Sequence, residues 1–292
     1  MTLSVIIPTK NRQADLVETV QALLAQTRLP DELIVVDQSV SNEGGTALGQ
    51  LLEGAGIARS TYIWDWMING LPMARNAGFS ASSGQMICFL DDDTTPAPDY
   101  LENIERGFAD YPAWDGLCGK LTDTTRISPL RKLARAIFRR GIFKDDRAAL
   151  ATLTTPTAVN LLPGAAFCFR RRVLERFSFD DGLVGYGLGE DIEFCQRAGQ
   201  IFQFGAYPAA RAHHRRSSVG RAGQTELRSM VVESSRRMWL VNRRHLGDDL
   251  CYLWLCVGLV AERLSSLPGK WAEDLAKTIK TLKRPRAMKT IP

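Results

Sequence analysis

The first hundred residues alternate short apolar runs with longer amphipathic stretches, and this alternation restricts the fold more than any other feature of the chain. Ser4 to Pro8 is a largely apolar run of strand length. Asp15 to Gln26 carries Leu16, Val20, Leu23 and Leu24 on one helical face. Glu32 to Val36 repeats the strand pattern and ends at Asp37, and Thr46 to Leu52 suits a helix. Thr61 to Trp64 is a third, short strand, Pro72 to Ser82 a helix, and Met86 to Leu90 a buried strand bounded by Gly84 and Pro96. Strand–helix alternation of this kind predicts an α/β protein with a parallel, doubly wound sheet. Polar and acidic residues recur where the strands end: Thr9 and Asn11, Asp37, and the triplet Asp91-Asp92-Asp93. The carboxyl ends of parallel strands share one edge, so these residues should meet in one crevice.

The triplet is the most informative of them. Three adjacent carboxylates repel one another unless a cation or donor groups sit among them. Carboxylate oxygens suit hard cations such as Mn²⁺ or Mg²⁺, which keep waters and bridge to phosphates. Strand alternation would send Asp91 and Asp93 to one side and Asp92 to the other. An isolated triplet is more simply a solvated acidic turn, but this one belongs to a set of strand-end acids.

A second acidic cluster follows a glycine-rich stretch, Asp180 to Gly189, that leads into Glu190-Asp191. Ile192 to Ala198 then reads as a helix. Acids at a helix start are favoured by the macrodipole alone. A carboxylate there can also take the proton of an attacking hydroxyl, a contribution of about 10²–10⁴-fold. His213 and His214, two of the chain's three histidines, come after a strand-like Ile201 to Phe204. Arg215, Arg216 and Ser217 or Ser218 follow and could steady phosphate oxygens.

The length of 292 residues allows one large domain or two small ones. Six cysteines without a C-x-x-C pair read as reduced thiols in a reducing, cytoplasmic compartment. The chain runs almost directly into its first strand pattern, so no secretory signal is expected. No apolar run reaches about 18 residues, which argues against a spanning helix. The net charge of +5 is concentrated. Arg126 to Arg147 carries eight Lys or Arg against Asp145 and Asp146, interleaved with Leu130, Leu133, Ile137 and Phe138. Leu250 to Ala261 is apolar, with Tyr252 and Trp254, and Lys270 to Lys289 is again basic. Such segments suit peripheral attachment to an anionic membrane, placing the protein at its cytoplasmic face. A mobile acceptor lid or a solvated helix fits the same pattern. No nucleic-acid-binding module or stacking array accompanies the basic charge, so nucleic acid is not expected as a partner.

Several of these residues carry a resemblance. Ser4-Val5-Ile6-Ile7-Pro8-Thr9-Lys10-Asn11-Arg12 resembles the opening of family 2 glycosyltransferases, which have the GT-A fold. Glu32 to Asp37 is similar to their second strand, Ala74-Arg75-Asn76-Ala77-Gly78 to their ARN-x-G helix start, and Phe89 to Asp93 to their DXD motif. Gly189-Glu190-Asp191-Ile192-Glu193-Phe194 is similar to their late acidic motif, and His213-His214 falls where many members place a histidine. The matches run in order from residue 4 to about 218. The departure is Gln38-Ser39-Val40-Ser41-Asn42, where many members carry a Gly or Asp with Ser.

The resemblance implies a metal-dependent, inverting transfer of a sugar from a nucleotide-sugar donor, UDP- or dTDP-linked for preference. The acceptor would be a glycan or lipid-linked glycan in envelope or exopolysaccharide synthesis. It implies Asp191 as the catalytic base, with Glu190 and Gly189 orienting the acceptor or the loop. Asp37 would accept from the N3–H of uracil or thymine, and Pro8, Thr9 and Arg12 would frame the base pocket. Arg75 would reach the donor, as would Asp91, through ribose or metal-bound water, and Asp92. Asp93 would bind Mn²⁺ or Mg²⁺ directly, with one of His213 and His214, His213 for preference, completing the site. The expected layout is a GT-A domain over 1–222, its nucleotide-sugar half 1–123 and its acceptor half 124–222, and a helical extension over 223–292. Two other readings compete. A sugar nucleotidyltransferase usually opens with a glycine-rich phosphate loop, which Pro8 to Arg12 lacks. A catalytically silent nucleotide-sugar-binding protein would have no need of an intact triplet together with Asp191.

Overall fold

The computed structural model describes residues 1–123, 129–217, 219 and 224–266. They fall in two compact units, Met1–Arg126 with Asp145–Arg221, and Ile127–Lys144 with Ala222–Pro292.

The first unit opens with β1 (Leu3–Thr9), α1 (Gln13–Leu24), β2 (Glu32–Asp37), α2 (Glu43–Leu52), β3 (Arg59–Trp64), α3 (Leu71–Ala81) and β4 (Met86–Leu90). After the aspartate triplet come β5 (Thr94–Pro96), α4 (Tyr100–Asp110) and β6 (Gly116–Asp123). The helix α5 (Pro129–Phe138) belongs to the second unit. The first resumes with α6 (Arg147–Leu150), β7 (Thr157–Val159), β8 (Ala166–Arg170), α7 (Arg171–Arg176), α8 (Glu190–Ala198) and β9 (Phe204–His214).

The strands form one sheet in the order β3-β2-β1-β4-β8-β6-β9-β5, with β7 on β9. The expected parallel arrangement holds for β3, β2, β1 and β4. Beyond them β8 is antiparallel to both β4 and β6, β9 is parallel to β6, and β5 and β7 are antiparallel to β9. Six of the nine strands therefore share one direction, in a mixed sheet. Their carboxyl ends bring Thr9, Asp37, Leu90 and His214 to the same edge.

Strands β1, β2 and β4 are buried along their whole length, which explains their continuous rather than alternating apolar runs. Helix α3 packs so closely on β1 that a Cβ at Gly78 would overlap Ile6 Cγ2. This is the physical content of the glycine that follows Ala74-Arg75-Asn76-Ala77. A cluster of phenylalanines ties β4, β8 and α8 together. Phe179 stacks on Phe194 at 4.4 Å and meets Phe89 edge-on at 5.3 Å, and Phe169 meets Phe194 at 5.2 Å. Aromatic pairs of this geometry add about 0.5–1.5 kcal/mol beyond the area they bury.

The strand expected over Ile201 to Phe204 begins only at Phe204. The N–H groups of Ile201 and Phe202 both return to Ala198 O, so these residues close α8 instead of extending. The two histidines consequently end the strand rather than follow it.

The second unit contains α5, a 3-10 turn at Gly141–Phe143, α9 (Gln224–Asn242) and α10 (Leu246–Ser266). Phe138 lies 5.2 Å from Trp254, and Trp254 Nε1 donates to Ile137 O at 2.9 Å. Phe143 lies 6.0 Å from Tyr252, which stacks on Trp239 at 4.7 Å. The segment 127–144, expected within the acceptor half, therefore groups with the C-terminal helices. Helix α10 exposes Leu246, Leu250, Leu253 and Val257 at spacings of four, three and four, and α5 exposes Leu133 and Ile137. Among the described residues no helix is long and apolar enough to cross a membrane. All six cysteines are free thiols, four of them buried. Arg126, Ser218 and the basic run Lys270 to Lys289 lie outside the described residues.

Candidate active site

The chain turns sharply after β4, with Asp91 N–H donating to Ala165 O and Thr94 N–H to Asp91 O. The turn separates the three carboxylates as strand alternation suggested. Asp92 points inward, accepting from Thr9 Oγ1 at 2.7 Å and from Arg12 Nη1 at 3.1 Å. Its carboxyl is pushed up to about 7, by burial first and by its two acidic neighbours, with Arg12 and Thr9 opposing. Asp91 and Asp93 share the other side with His214, and ligand atoms of the three lie within 4.8 Å of one another. Asp93 Oδ1 is 3.1 Å from His214 Nε2, and Asp93 Oδ2 accepts from Ser217 N–H at 3.0 Å. Burial would raise the Asp93 carboxyl, but His214, Arg12 and the Ser217 N–H outweigh it and hold the group below its ordinary range. Two carboxylates and an imidazole form a donor set that fits Mn²⁺ and Mg²⁺.

Of the two histidines it is His214 that meets Asp91 and Asp93, where His213 was preferred. Adjacent residues of β9 face opposite ways, and β5 pairs Thr94 with His214 and Thr95 with His213. His213 Nδ1 instead lies 3.1 Å from Thr122 Oγ1. Arg215 does not address the crevice either. It donates to Asp15 O, Thr19 Oγ1, Thr95 Oγ1 and Asp92 O, so it braces the backbone of the triplet against α1.

Arg75 was expected to reach a donor, yet it is completely buried. Its guanidinium donates to Glu190 Oε1, to Asp91 Oδ1 at 3.1 Å and to Gly164 O at 2.8 Å, and lies over the Phe167 ring at 4.8 Å. One side chain thus joins the triplet to the second acidic cluster. Burial dominates the Glu190 carboxyl and pushes it up to about 8; the Arg75 charge opposes this and Asp191 adds to it. Glu190 Oε2 is buried with no hydrogen-bond partner among the described residues.

Asp191 stands in the first turn of α8. Its Oδ1 accepts from Ile192 N–H at 2.8 Å, and its Oδ2 from Gly164 N–H at 3.0 Å and from Arg147 Nη1. Arg147 also grips Asp145 through Nε and Nη2 at 2.8 and 2.9 Å. The glycines ahead of α8 have a conformational reason. Gly185, Gly187 and Gly189 have φ of 71°, 62° and 87°, which admit an L side chain only under strain. Gly189 caps the helix and delivers Glu190 and Asp191 together.

At the end of β2, Asp37 is nearly enclosed. Ser39 N–H donates to Oδ1 at 2.8 Å and Tyr62 Oη to Oδ2 at 2.6 Å. Pro8 is buried within β1, and Thr9 and Arg12 both donate to Asp92.

Residues 4–177 match the profile of Glycosyl transferase family 2, which is more than half of the chain. The protein is a family 2 glycosyltransferase. An uncharacterized glycosyltransferase of Nostoc sp. is 27% identical over 176 residues, covering 60% of this chain and 53% of the relative. The chain therefore spans about half the length of that curated relative. Among solved structures, S. aureus TarS 1–349 in complex with UDP-GlcNAc superposes with a TM-score of 0.63 at 16% identity, over 97% of this chain and 82% of that one. The mannosyltransferase PcManGT of Pyrobaculum calidifontis, in complex with GDP-Man and Mn²⁺, superposes with a TM-score of 0.58 at 17% identity, over 95% and 79%. The shared architecture is the GT-A fold.

Three residues of this family 2 glycosyltransferase's site escaped sequence reasoning. Gly164 both donates to Asp191 and accepts from Arg75, and a Cβ on it would stand 2.9 Å from Glu190 Oε1. The Pro163-Gly164 pair before an apolar run was the available signal. Tyr62 lies inside an aromatic strand pattern and Arg147 inside a basic segment, and neither pattern marks its residue for the site.

Proposed function

We propose that this glycosyltransferase moves a sugar from a pyrimidine nucleotide donor, UDP- or dTDP-linked, to a hydroxyl of a glycan or lipid-linked glycan, with inversion, in envelope or exported polysaccharide synthesis. The observation that carries the reading is the Arg75 bridge. Holding Asp91 and Glu190 with one guanidinium keeps the metal-binding group and the loop of the base in register. Geometry of that kind is what a bimolecular transfer requires.

Asp191 acts as the base. Gly164 and Arg147 occupy its Oδ2, while Oδ1 receives only the Ile192 N–H among the described residues and keeps a lone pair for an acceptor hydroxyl. As the acceptor oxygen attacks the anomeric carbon, its proton passes to Asp191 Oδ1 and the bond from that carbon to the diphosphate breaks. A single displacement with no protein nucleophile inverts the anomeric centre. Mn²⁺ or Mg²⁺ bound by Asp91, Asp93 and His214 would supply charge neutralisation for the diphosphate. TarS crystallised with UDP-GlcNAc and the mannosyltransferase with GDP-Man and Mn²⁺ support a nucleotide-sugar donor and such an ion. Asp37, fixed by Ser39 and Tyr62, keeps one lone pair on each oxygen for the N3–H of a pyrimidine. The exposed apolar stripe of α10, with the lysines and arginines of 126–147, supports peripheral attachment to an anionic membrane, for which the cytoplasmic face is our reading.

Thermal-shift titration with UDP, dTDP, GDP and their sugars, each with Mn²⁺ or Mg²⁺, tests the reading. A pyrimidine nucleotide at 100 times its Kd should stabilise by about 2.7 kcal/mol. No shift with any nucleotide and either ion, or full turnover in excess chelator, would overturn it.

A further inference from the structure

The loop between β3 and α3 and the glycine-rich loop before α8 are joined through their backbones. Gly70 and Gly185 form a parallel bridge, Gly185 N–H donates to Asn69 O and Leu71 N–H to Gly185 O, both at 3.3 Å. Gly70 has φ of 147°, and a Cβ there would stand 3.2 Å from Leu183 O and 3.3 Å from Val184 Cα, so no side chain separates the loops. Onto this joined surface the chain places Trp66, Met67, Val184 and Tyr186, exposed to 62%, 69%, 54% and 37%. Trp66 stacks on no other ring among the described residues. An exposed cluster of large apolar side chains next to a reaction site marks a ligand surface.

Two observations identify the ligand. The first is place: Gly70 N–H donates to Gln38 Oε1, directly after Asp37, and Tyr186 precedes Asp191 by five residues. The surface therefore runs from the donor end of the sheet to the base. The second is charge: neither 60–74 nor 177–196 contains a lysine or arginine, while Asp65, Asp180 and Asp181 are present, and Arg12, whose charge reaches Tyr186, is already paired with Asp92 and Asp93. A phosphate-rich ligand or an anionic bilayer would meet these acids, and Arg12 is held by two carboxylates of its own. A neutral saccharide presents flat C–H faces and a hydroxyl rim, which suit rigid aromatic faces edged with polar groups.

We propose that Trp66, Met67, Val184 and Tyr186 form a stacking platform for the neutral sugar rings of an oligosaccharide acceptor, holding it beside Asp191. The proposal rests on the glycosyltransferase reading of Asp191 and adds a substrate class to it. The acceptor is recognised over more than its reacting ring and through its glycan part, not through a lipid or a charged group.

The test titrates the full-length protein with mono- to tetrasaccharides of glucose, N-acetylglucosamine and mannose, followed by saturation-transfer NMR and calorimetry. At least one series should bind, more tightly with each added ring. Trp66→Ala and the pair Met67→Ala with Val184→Ala should weaken tetrasaccharide binding about tenfold, and Trp66→Tyr should restore most of it. Unchanged melting temperatures establish that the variants are folded. Binding by no series at millimolar concentration, equal binding by Trp66→Ala, or binding of phosphatidylglycerol vesicles that Trp66→Ala abolishes would each overturn the platform. The UDP–Mn²⁺ shift of the parent protein is read alongside. Its presence when the sugars fail refutes the platform alone, and its absence refutes the donor and site assignments beneath it.

Discussion

Replacing Arg75 by methionine should be among the most costly single changes in this protein. Methionine retains the apolar stem over Phe167 but loses the hydrogen bonds to Glu190, Asp91 and Gly164 O. Removing one partner of a buried ion pair costs about 3–5 kcal/mol, because the other charge is left without compensation. Glu190 can lower that cost by keeping a proton, since burial already pushes its carboxyl up to about 8. The loss should therefore sit near about 3 kcal/mol at pH 6 and approach about 5 kcal/mol at pH 9. At about 2–4 °C per kcal/mol for a unit of this size, Tm should fall by roughly 6–20 °C. The double variant Arg75→Met with Glu190→Gln removes both charges and should recover at least half of the loss. Asp91, whose side chain is 24% exposed, can hydrate and needs less rescue. Denaturant melts and scanning calorimetry of both variants at the two pH values supply the measurement. An Arg75→Met protein within about 2 °C of the parent, or a double variant less stable than the single one, would refute the account of Arg75 as the internal brace of the site.

Other expectations are shorter to state. His214→Ala should abolish Mn²⁺-dependent UDP binding in calorimetry, whereas His213→Ala should leave it within a few-fold, and the reverse result would return the ligand role to His213. Asp191→Asn should keep donor binding and lower transfer by about 10²–10⁴-fold in single-turnover assays; lost donor binding with turnover retained at saturation would make Asp191 a binding residue. Glu190 holds a proton in the folded state that the unfolded chain releases, so its contribution to stability is complete below the ordinary glutamate range and disappears as pH rises through about 8. Tm should accordingly decline over that window, and Glu190→Gln should flatten the decline; an equal slope in the variant would locate the titration elsewhere. Sedimentation should recover the protein with anionic but not neutral vesicles, and less at high salt; recovery in the supernatant under all conditions would make the α5 and α10 surfaces ordinary solvated faces.

The parallel half of the sheet was legible because β1, β2 and β4 are buried on both faces, and burial on both faces writes itself as continuous apolar runs. The triplet was legible for a related reason, since acids directly after such a run have few places to go other than the sheet edge. What remained hidden depended on partners distant in sequence. No local pattern tells Arg75 that it will meet Glu190, or that β8 will insert antiparallel between β4 and β6. The choice between the two histidines was hidden by register. Ile201 and Phe202 close α8, and on a strand a shift of one residue exchanges the faces, so the choice between His213 and His214 rested on pairing with β5.

The second unit imposes a timetable on biosynthesis. Its helix α5 and the turn at Gly141–Phe143 leave the ribosome well before the helices that cover them. Phe143 precedes Tyr252 by 109 residues, an interval of roughly 5–20 s at ordinary elongation rates. Throughout that interval Phe138 and Phe143 lack Trp254 and Tyr252, while the sheet on either side of the segment completes itself. A nascent chain in this state presents an apolar, basic segment to chaperones and to any acidic surface nearby. A chain cut after β9 would hold that state permanently, so shortening the protein to its catalytic sheet would yield an aggregating product instead of a simpler enzyme.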